Sequence, residues 1–290
     1  MNDKLCAALG DFDGVHAGHR LLLQAAVDNK FGFVPAVYTF NNNCKGAPAV
    51  MSRMEKEQYI YKLGIKKIIS DDFESVRGMT PAEFIEKVLY ERLNAGMVVC
   101  GSDFRFGKNA SGDADFLAES CREYGIKAAV INPFYYNGKK LSSSMIRKKL
   151  ASGDMESVFN MLGRYYSVSG KVIHGKELGR RHTVPTVNIP LKQGRAVPAY
   201  GVYITRTTVG NNVYNSISNV GVRPSVENTD TPNIETNLFG FEGEVYGEDI
   251  NVEFIKMLRN ERRFDSSDQL YRQIARDIET AKTYFNGEHQ

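Results

Sequence analysis

Long apolar runs are missing from this chain of 290 residues: no stretch approaches the ~18 consecutive apolar residues of a membrane span. The first apolar run, Leu5 to Leu9, meets Asp11 and Asp13 too soon to be the core of a secretion signal. A cytoplasmic protein without membrane contact is expected. Paired cysteines are missing as well. Cys6, Cys44, Cys100 and Cys121 stand far apart, with no CxxC pair and no histidine at zinc-ligand spacing. That pattern fits reduced, mostly buried thiols. Charge of one sign is scarce: the first 150 residues hold 21 Lys and Arg against 17 Asp and Glu, and the remainder 16 against 17. Neither half has the bulk positive charge of a nucleic-acid binder, and no basic stripe with interleaved aromatics appears.

What is present is the composition of an ordinary folded protein, 42% hydrophobic and 24% charged. A single core rarely grows beyond about 250 residues, so two domains are expected. In the first half, Leu5–Leu9, Phe33–Tyr38, Lys67–Ile69, Met97–Cys100 and Ala128–Ile131 read as short buried strands, each followed by a loop or an amphipathic stretch. One helix start is signposted by Thr80-Pro81-Ala82-Glu83, a capping box with proline at the first helical position. Alternating strands and helices predict a parallel sheet with both faces covered, whose ligands bind at the carboxyl ends of the strands. After Leu150 the texture changes. A linker helix over Met155–Leu162 precedes strands at Tyr165–Ile173, Val202–Thr208, Val213–Val220 and Ile250–Leu258, the pattern of an antiparallel sheet or small barrel. A final helix capped near Ser266 or Ser267 places Leu270, Ile274, Ile278, Ala281 and Phe285 on one face. The expected boundaries are residues 1–152, a linker 153–163, and 164–290.

The segment Gly10-Asp11-Phe12-Asp13-Gly14-Val15-His16-Ala17-Gly18-His19 leaves the first strand and enters a helical pattern. Backbone N–H groups at a helix mouth attract anions, and glycine lets a phosphate oxygen approach where a Cβ would block it. Packed histidines are the plainer alternative. Gly101-Ser102-Asp103-Phe104-Arg105-Phe106-Gly107 and Ser142-Ser143-Ser144-Met145-Ile146-Arg147 follow the fourth and fifth strands. Hydroxyls, free N–H groups and the Arg147 guanidinium suit a polyphosphate; a serine cap with a solvated basic face is the plainer reading.

In the second half there is no GxxxxGK[ST] segment and no protein-kinase motif set. Instead Gly175-Lys176-Glu177-Leu178-Gly179-Arg180 combines glycines that permit a tight wrap around phosphates with positive charge. Thr186 and Asn188 are two apart, hence on one side of a strand, and offer the oxygen ligands that suit Mg²⁺.

Together these segments resemble the prokaryotic bifunctional riboflavin kinase/FAD synthetase family. The first three are similar to its HxGH, GxDFRFG and SSTxIR motifs, with Ser144 for Thr. Gly175 to Asn188 is similar to GxxLGRxxxxPTxN. Asn219-Val220-Gly221-Val222-Arg223-Pro224-Ser225 is similar to N-V-G-x-R-P-T, and Ile234-Glu235-Thr236-Asn237-Leu238 to V-E-x-H-L, with Asn237 for His.

The resemblance implies an α/β plus β architecture: an N-terminal Rossmann-like HxGH nucleotidyltransferase domain, then a C-terminal antiparallel β-barrel riboflavin kinase domain with a terminal helix. It implies a flavoprotein-pathway transferase that phosphorylates riboflavin to FMN with ATP and adenylylates FMN to FAD with release of pyrophosphate. Mg²⁺ is the implied cofactor, and the protein a monomer or weak oligomer.

The roles implied are Glu235 as the base for the riboflavin hydroxyl, with His16, His19 and Arg147 steadying charge during adenylyl transfer. Gly10, Asp13, Gly14, Gly18, Asp103, Arg105, Gly107, Ser142, Ser143 and Ser144 would bind ATP in the first half, and Gly175, Lys176, Gly179 and Arg180 in the second. Thr186 and Asn188 would hold the metal and Arg223 the flavin, whose ring is expected between the barrel and the segment entering the last helix. One departure stands out. Where the family has T-F-x-P-H-P, this chain reads Thr39-Phe40-Asn41-Asn42-Asn43-Cys44. Adenylylation is expected to survive, because the HxGH and Ser/Arg elements are intact. A kinase-only enzyme with a degenerate first half is the alternative, and a flavin-responsive regulator without turnover a further one.

Overall fold

The computed structural model describes residues 3–41, 46–173, 186–223 and 231–287, the side chain of Arg223 excepted. Two compact units divide the chain, Met1–Ser143 and Ser144–Gln290.

The first unit is built on five parallel strands in the order β3-β2-β1-β4-β7. They are β1 (Leu5–Leu9), β2 (Val34–Phe40), β3 (Lys67–Asp71), β4 (Ala95–Gly101) and β7 (Lys127–Ile131). Strand β1 is apolar at every position because both faces are covered. Leu5, Ala7 and Leu9 feed one core, whereas Cys6 and Ala8 feed another that also holds Phe12, Val15 and Leu23. The strand order reverses between β1 and β4, so the loops leaving these two strands flank the crevice where open α/β sheets take ligands.

The helices of this unit include α1 (Ala17–Val27), α2 (Arg53–Lys62), α3 (Phe73–Val76) and α5 (Ala114–Glu123). The capping box at Thr80 is formed, with both reciprocal hydrogen bonds, and opens α4 (Pro81–Glu83). That helix passes straight into a π-helical stretch, Phe84–Arg92, whose end is marked by the Leu93 N–H donating to the Val88 carbonyl. Two small hairpins, β5 with β6 (Arg105–Phe106, Gly112–Asp113) and β8 with β9 (Tyr135–Tyr136, Lys139–Lys140), complete the unit.

Helix α6 (Ser143–Ala151) starts where the serine run predicts, and α7 (Met155–Leu162) is a helix at the expected residues, inside the second unit. The second unit is a six-stranded antiparallel sheet in the order β10-β15-β12-β13-β14-β11. Its strands are β10 (Tyr166–Lys171), β11 (Thr186–Pro190), β12 (Gly201–Val209), β13 (Asn212–Arg223), β14 (Thr231–Leu238) and β15 (Asp249–Asn260). The sheet curls until Ile173 bridges Asn188, bringing its outer strands together.

Inside this curl lies a chain of buried hydroxyls: Thr207 to Ser216, Ser216 to Thr205, Thr205 to Ser218 and Ser218 to Thr236, each link 2.8 Å. Every one of these groups has a partner, which removes the cost of burying them.

Helix α8 (Ser267–Gly287) covers the opposite face, seating Ala281 and Phe285 on Val202, Ile204, Ile217 and Ile255. The Ser266 hydroxyl accepts from the Gln269 N–H, as its capping position predicts. The apolar face is only partly used, however. Leu270 and Ile274 are each 37% exposed, because this helix meets its core in the second half of its length. Cys6, Cys100 and Cys121 are free and buried, which raises their thiol pKa values to about 11, 11 and 12; Cys44 lies outside the described residues. No helix among the described residues is long and apolar enough to cross a membrane.

Candidate active sites of the two halves

The loop from β1 to α1 is a sharply strained turn. Phe12 and Val15 take φ of +56° and +38°, and both are fully buried. A β-branched residue at positive φ is a true outlier, and each such residue stores on the order of 1–3 kcal/mol that the surroundings must offset. Gly14, at φ +76°, sits where a Cβ would come within 3.0 Å of Val50. Asp13 anchors the turn: its buried carboxylate accepts from the Val50 N–H at 2.8 Å, and its carbonyl accepts from the Ser143 hydroxyl at 2.9 Å. Asp13→Ala is expected to lower the stability of the first unit by about 1–3 kcal/mol, the cost of orphaning a buried donor. Asp13→Asn, which keeps an acceptor, should recover most of it in denaturant unfolding of the full chain.

The turn delivers two imidazoles. His16 is the N-cap of α1, its Nδ1 accepting from the His19 N–H at 3.3 Å, and the two rings stack with centroids 3.7 Å apart. Helix α1 therefore begins four residues before the apolar pattern at Leu21, and His19 lies in its first turn. Phe12 packs against His19 at 5.2 Å. A Cβ on Gly18 would stand 3.3 Å from the His16 ring, and one on Gly10 the same distance from the Phe12 ring. Each glycine thus makes room for an aromatic ring of the turn. The positive pole of α1 opens beside these histidines, an arrangement that attracts anions.

The loop after β4 lies across the same switch point. Phe106 is buried and stacks with Phe104 at 5.5 Å, while Arg105 is exposed and donates to the Phe104 carbonyl. Asp103 forms an ion pair with Lys140 of β9, 37 residues further along the chain and outside every motif. Gly107, at φ +72°, lies against Pro81, where a Cβ would meet the ring at 2.8 Å. Its placement has a packing reason of its own. Ser144 accepts from the Arg147 guanidinium at 3.0 Å, one turn along α6. Asn41 donates its N–H to the Asp71 carbonyl, and residues 42–45 of the divergent segment lie outside the described residues.

In the second unit, Thr186 and Asn188 of β11 share one face, as their spacing predicts. Asn188 pairs with Glu235 across the β11–β14 ladder, and Glu235 pairs with Asn219 on its other side. The Thr186 hydroxyl donates to the Glu235 carboxylate at 2.8 Å. The Asn188 amide oxygen accepts from Asn233 at 2.7 Å, and both asparagines are buried. Asn233 is thus a supporting residue that the sequence reading missed, although its place two residues before Glu235 puts it on the same strand face.

Gly221 lies at the rim, where a Cβ would come within 3.2 Å of a Glu261 carboxylate oxygen and 3.3 Å of the Asn219 amide nitrogen. Beyond it Arg259 binds Asp277 of α8 at 2.8 Å, and Arg262 covers the Phe264 ring at 4.8 Å. Gly175, Lys176, Gly179 and Arg180 lie outside the described residues, as does the side chain of Arg223. Three oxygen-bearing side chains, Thr186, Asn188 and Glu235, are therefore brought together. One is a carboxylate within hydrogen-bond reach of its neighbour, and two are neutral donors of the kind a hard divalent cation accepts.

A family model described as FAD synthetase matches residues 1–145, and one described as riboflavin kinase matches residues 162–285. The chain is also similar, nearly end to end, to proteins named bifunctional riboflavin kinase/FMN adenylyltransferase. It is 34% identical to that of Buchnera aphidicola over 99% of this chain and 96% of the relative. It is 33% identical to that of Haemophilus influenzae over 97% and 94%, and 33% to that of Bacillus subtilis over 98% and 93%. Among solved structures, one described as a macrolide-efflux protein from Streptococcus pneumoniae shares the fold with a TM-score of 0.86, at 27% identity over 97% of this chain and 95% of that one. That description does not carry over to this chain, because both halves match flavin-enzyme families along their length.

Proposed function

Since this chain belongs to the family of bifunctional riboflavin kinase/FMN adenylyltransferases, we propose that it makes FAD from riboflavin in two steps. Riboflavin and ATP give FMN and ADP in the second half; FMN and ATP give FAD and pyrophosphate in the first. The observation that carries the reading is that each half matches its own enzyme family, in a chain aligned with two-activity relatives across both.

In the kinase half Glu235 is the group placed to take the proton of the riboflavin 5′-hydroxyl as that oxygen attacks the γ-phosphorus of ATP. Its carboxylate is exposed and held by the Thr186 hydroxyl, so it is accessible to substrate and fixed in direction. Mg²⁺ fits the oxygen donors of Thr186 and Asn188, with ATP phosphates and water completing its shell, and when bound it would neutralise phosphate charge. Asn233 keeps the Asn188 amide turned with its oxygen in a set position.

In the transferase half no protein nucleophile is needed. The FMN phosphate attacks the α-phosphorus of ATP, the bond to the pyrophosphate breaks, and the enzyme's task is positioning and charge stabilisation. His16 and His19, stacked at the N-terminus of α1, are the groups placed to meet that charge. Ser143, whose hydroxyl donates to the Asp13 carbonyl, belongs to the same turn, and the resemblance adds Arg147 as a further stabilising charge. The match of both halves to full-length relatives supports this reading over the kinase-only alternative.

A time course of the purified protein with riboflavin, ATP and Mg²⁺, separated by chromatography, is expected to show FMN rising first and then giving way to FAD. Chelating the divalent ion should stop both steps. FMN that accumulates without FAD, even with supplied FMN and pyrophosphatase, would restrict the activity to the kinase half.

A further inference from the structure

We infer that Lys56, a residue of helix α2 belonging to none of the motifs, is a positioning residue for nucleotidyl transfer, acting through the Asp11 carbonyl on the strained turn that presents His16 and His19. The Lys56 ammonium donates to the Asp11 carbonyl at 3.0 Å and to the Thr39 hydroxyl at 3.3 Å. The Thr39 hydroxyl, almost fully buried on β2, donates to the same carbonyl at 3.1 Å.

That carbonyl belongs to the peptide joining Asp11 to Phe12, and the orientation of this peptide sets φ at Phe12, which is +56°. Two donors therefore hold the first hinge of the turn. The Asp13 carboxylate holds the second by gripping Val50. Between β1, which ends at Leu9, and α1, which begins at Ala17, the chain is fixed from the α2 side at both hinges. A positioned cation also matters in a site built to receive polyphosphate, since a buried charge is weakly screened.

The charge itself is poised. Burial lowers the pKa of the Lys56 ammonium, and the Asp11, Asp13 and Glu57 carboxylates pull against that effect while Arg53 adds to it. Thr39, its other polar contact among the described residues, is neutral. The net direction is downward, so the proton leaves at a lower pH than from an exposed lysine, and the hold on Asp11 weakens as pH rises through that value.

This inference rests on the transferase reading of the first half, and wild-type protein is assayed first to separate the two. If wild type forms no FAD from FMN and ATP, the reading itself fails. With wild type active, Lys56→Met, which keeps the apolar stem, is expected to lower kcat for FAD formation about 50-fold. KM for ATP should shift less than about three-fold, and the riboflavin kinase rate of the same protein should be unchanged. Lys56→Arg, which restores a cation, should recover about ten-fold of the loss and move the alkaline fall in FAD formation to higher pH. Thr39→Val, near-isosteric, should lower kcat about five-fold, and it carries the test if Lys56→Met does not fold. The role of Lys56 is overturned by a folded Lys56→Met variant with kcat within two-fold of wild type. It is equally overturned by a loss that Lys56→Arg does not relieve, or by an alkaline limb unchanged in Lys56→Arg.

Discussion

Glu235→Gln is expected to lower FMN formation at least a hundred-fold while conversion of supplied FMN to FAD stays within about two-fold of wild type. The amide has the size of the carboxylate and still offers an oxygen to the Thr186 hydroxyl, which now lies 2.8 Å from Glu235. The ladder positions opposite Asn188 and Asn219 are untouched as well. What the substitution removes is the capacity to take a proton, and general-base catalysis contributes about 10²- to 10⁴-fold. The neighbouring side chains cannot replace it, since threonine and asparagine do not act as bases near neutral pH. Two assays on one preparation, riboflavin to FMN and FMN to FAD, check the result. Full kinase activity in the variant would remove Glu235 as the base, and loss of both activities would point to a structural fault instead.

Why Glu235 was legible in the sequence while Lys56 was not has a physical cause. Glu235 was marked by the resemblance of Ile234 to Leu238 to the family's V-E-x-H-L, while spacing alone put Thr186 and Asn188 on one face; the β11–β14 ladder then set Glu235 beside Asn188. A continuous apolar run led to β1, recovered at its expected residues, and the serine run to the start of α6. In helix α2 the apolar residues Met54, Tyr59, Ile60 and Tyr61 form no stripe at helical spacing, so its sequence gives no face to orient by, and Lys56 is an ordinary lysine until the Asp11 carbonyl is seen beneath it.

Other features depended on partners distant in sequence. The stacking of His16 on His19 follows from an N-cap that starts α1 earlier than its apolar residues do. The hydroxyl chain from Thr207 to Thr236 inverts the usual reading of polar residues in a strand as outward-facing, because each hydroxyl finds another inside the sheet. Leu270 and Ile274 show the reverse: their helical spacing matches a core that α8 reaches only around Ala281 and Phe285. Local pattern thus marked the five parallel strands and four strands of the second sheet, whereas β11 and β14 as sheet members, and the identity of partners, required the tertiary fold.

Replacing His16 and His19 together by Ala is expected to reduce FAD formation by about 10³-fold or more and to leave FMN formation within about two-fold. Removing one donor that stabilises developing charge typically costs about 10²- to 10³-fold in kcat, and two groups acting on the same charge are not additive. The double variant also has a structural component that must be separated from the chemical one. His16 caps α1 through its Nδ1, and alanine at an N-cap costs about 1 kcal/mol of stability. His16→Asn resolves the two, because asparagine is among the strongest N-cap residues but presents no imidazole. A His16→Asn protein with the unfolding midpoint of wild type and FAD formation reduced at least a hundred-fold would assign the imidazole to the transfer itself. Recovery of activity by His16→Asn would instead make His16 a cap, and the task of meeting charge at the departing pyrophosphate would then fall to His19 and the N–H groups of α1.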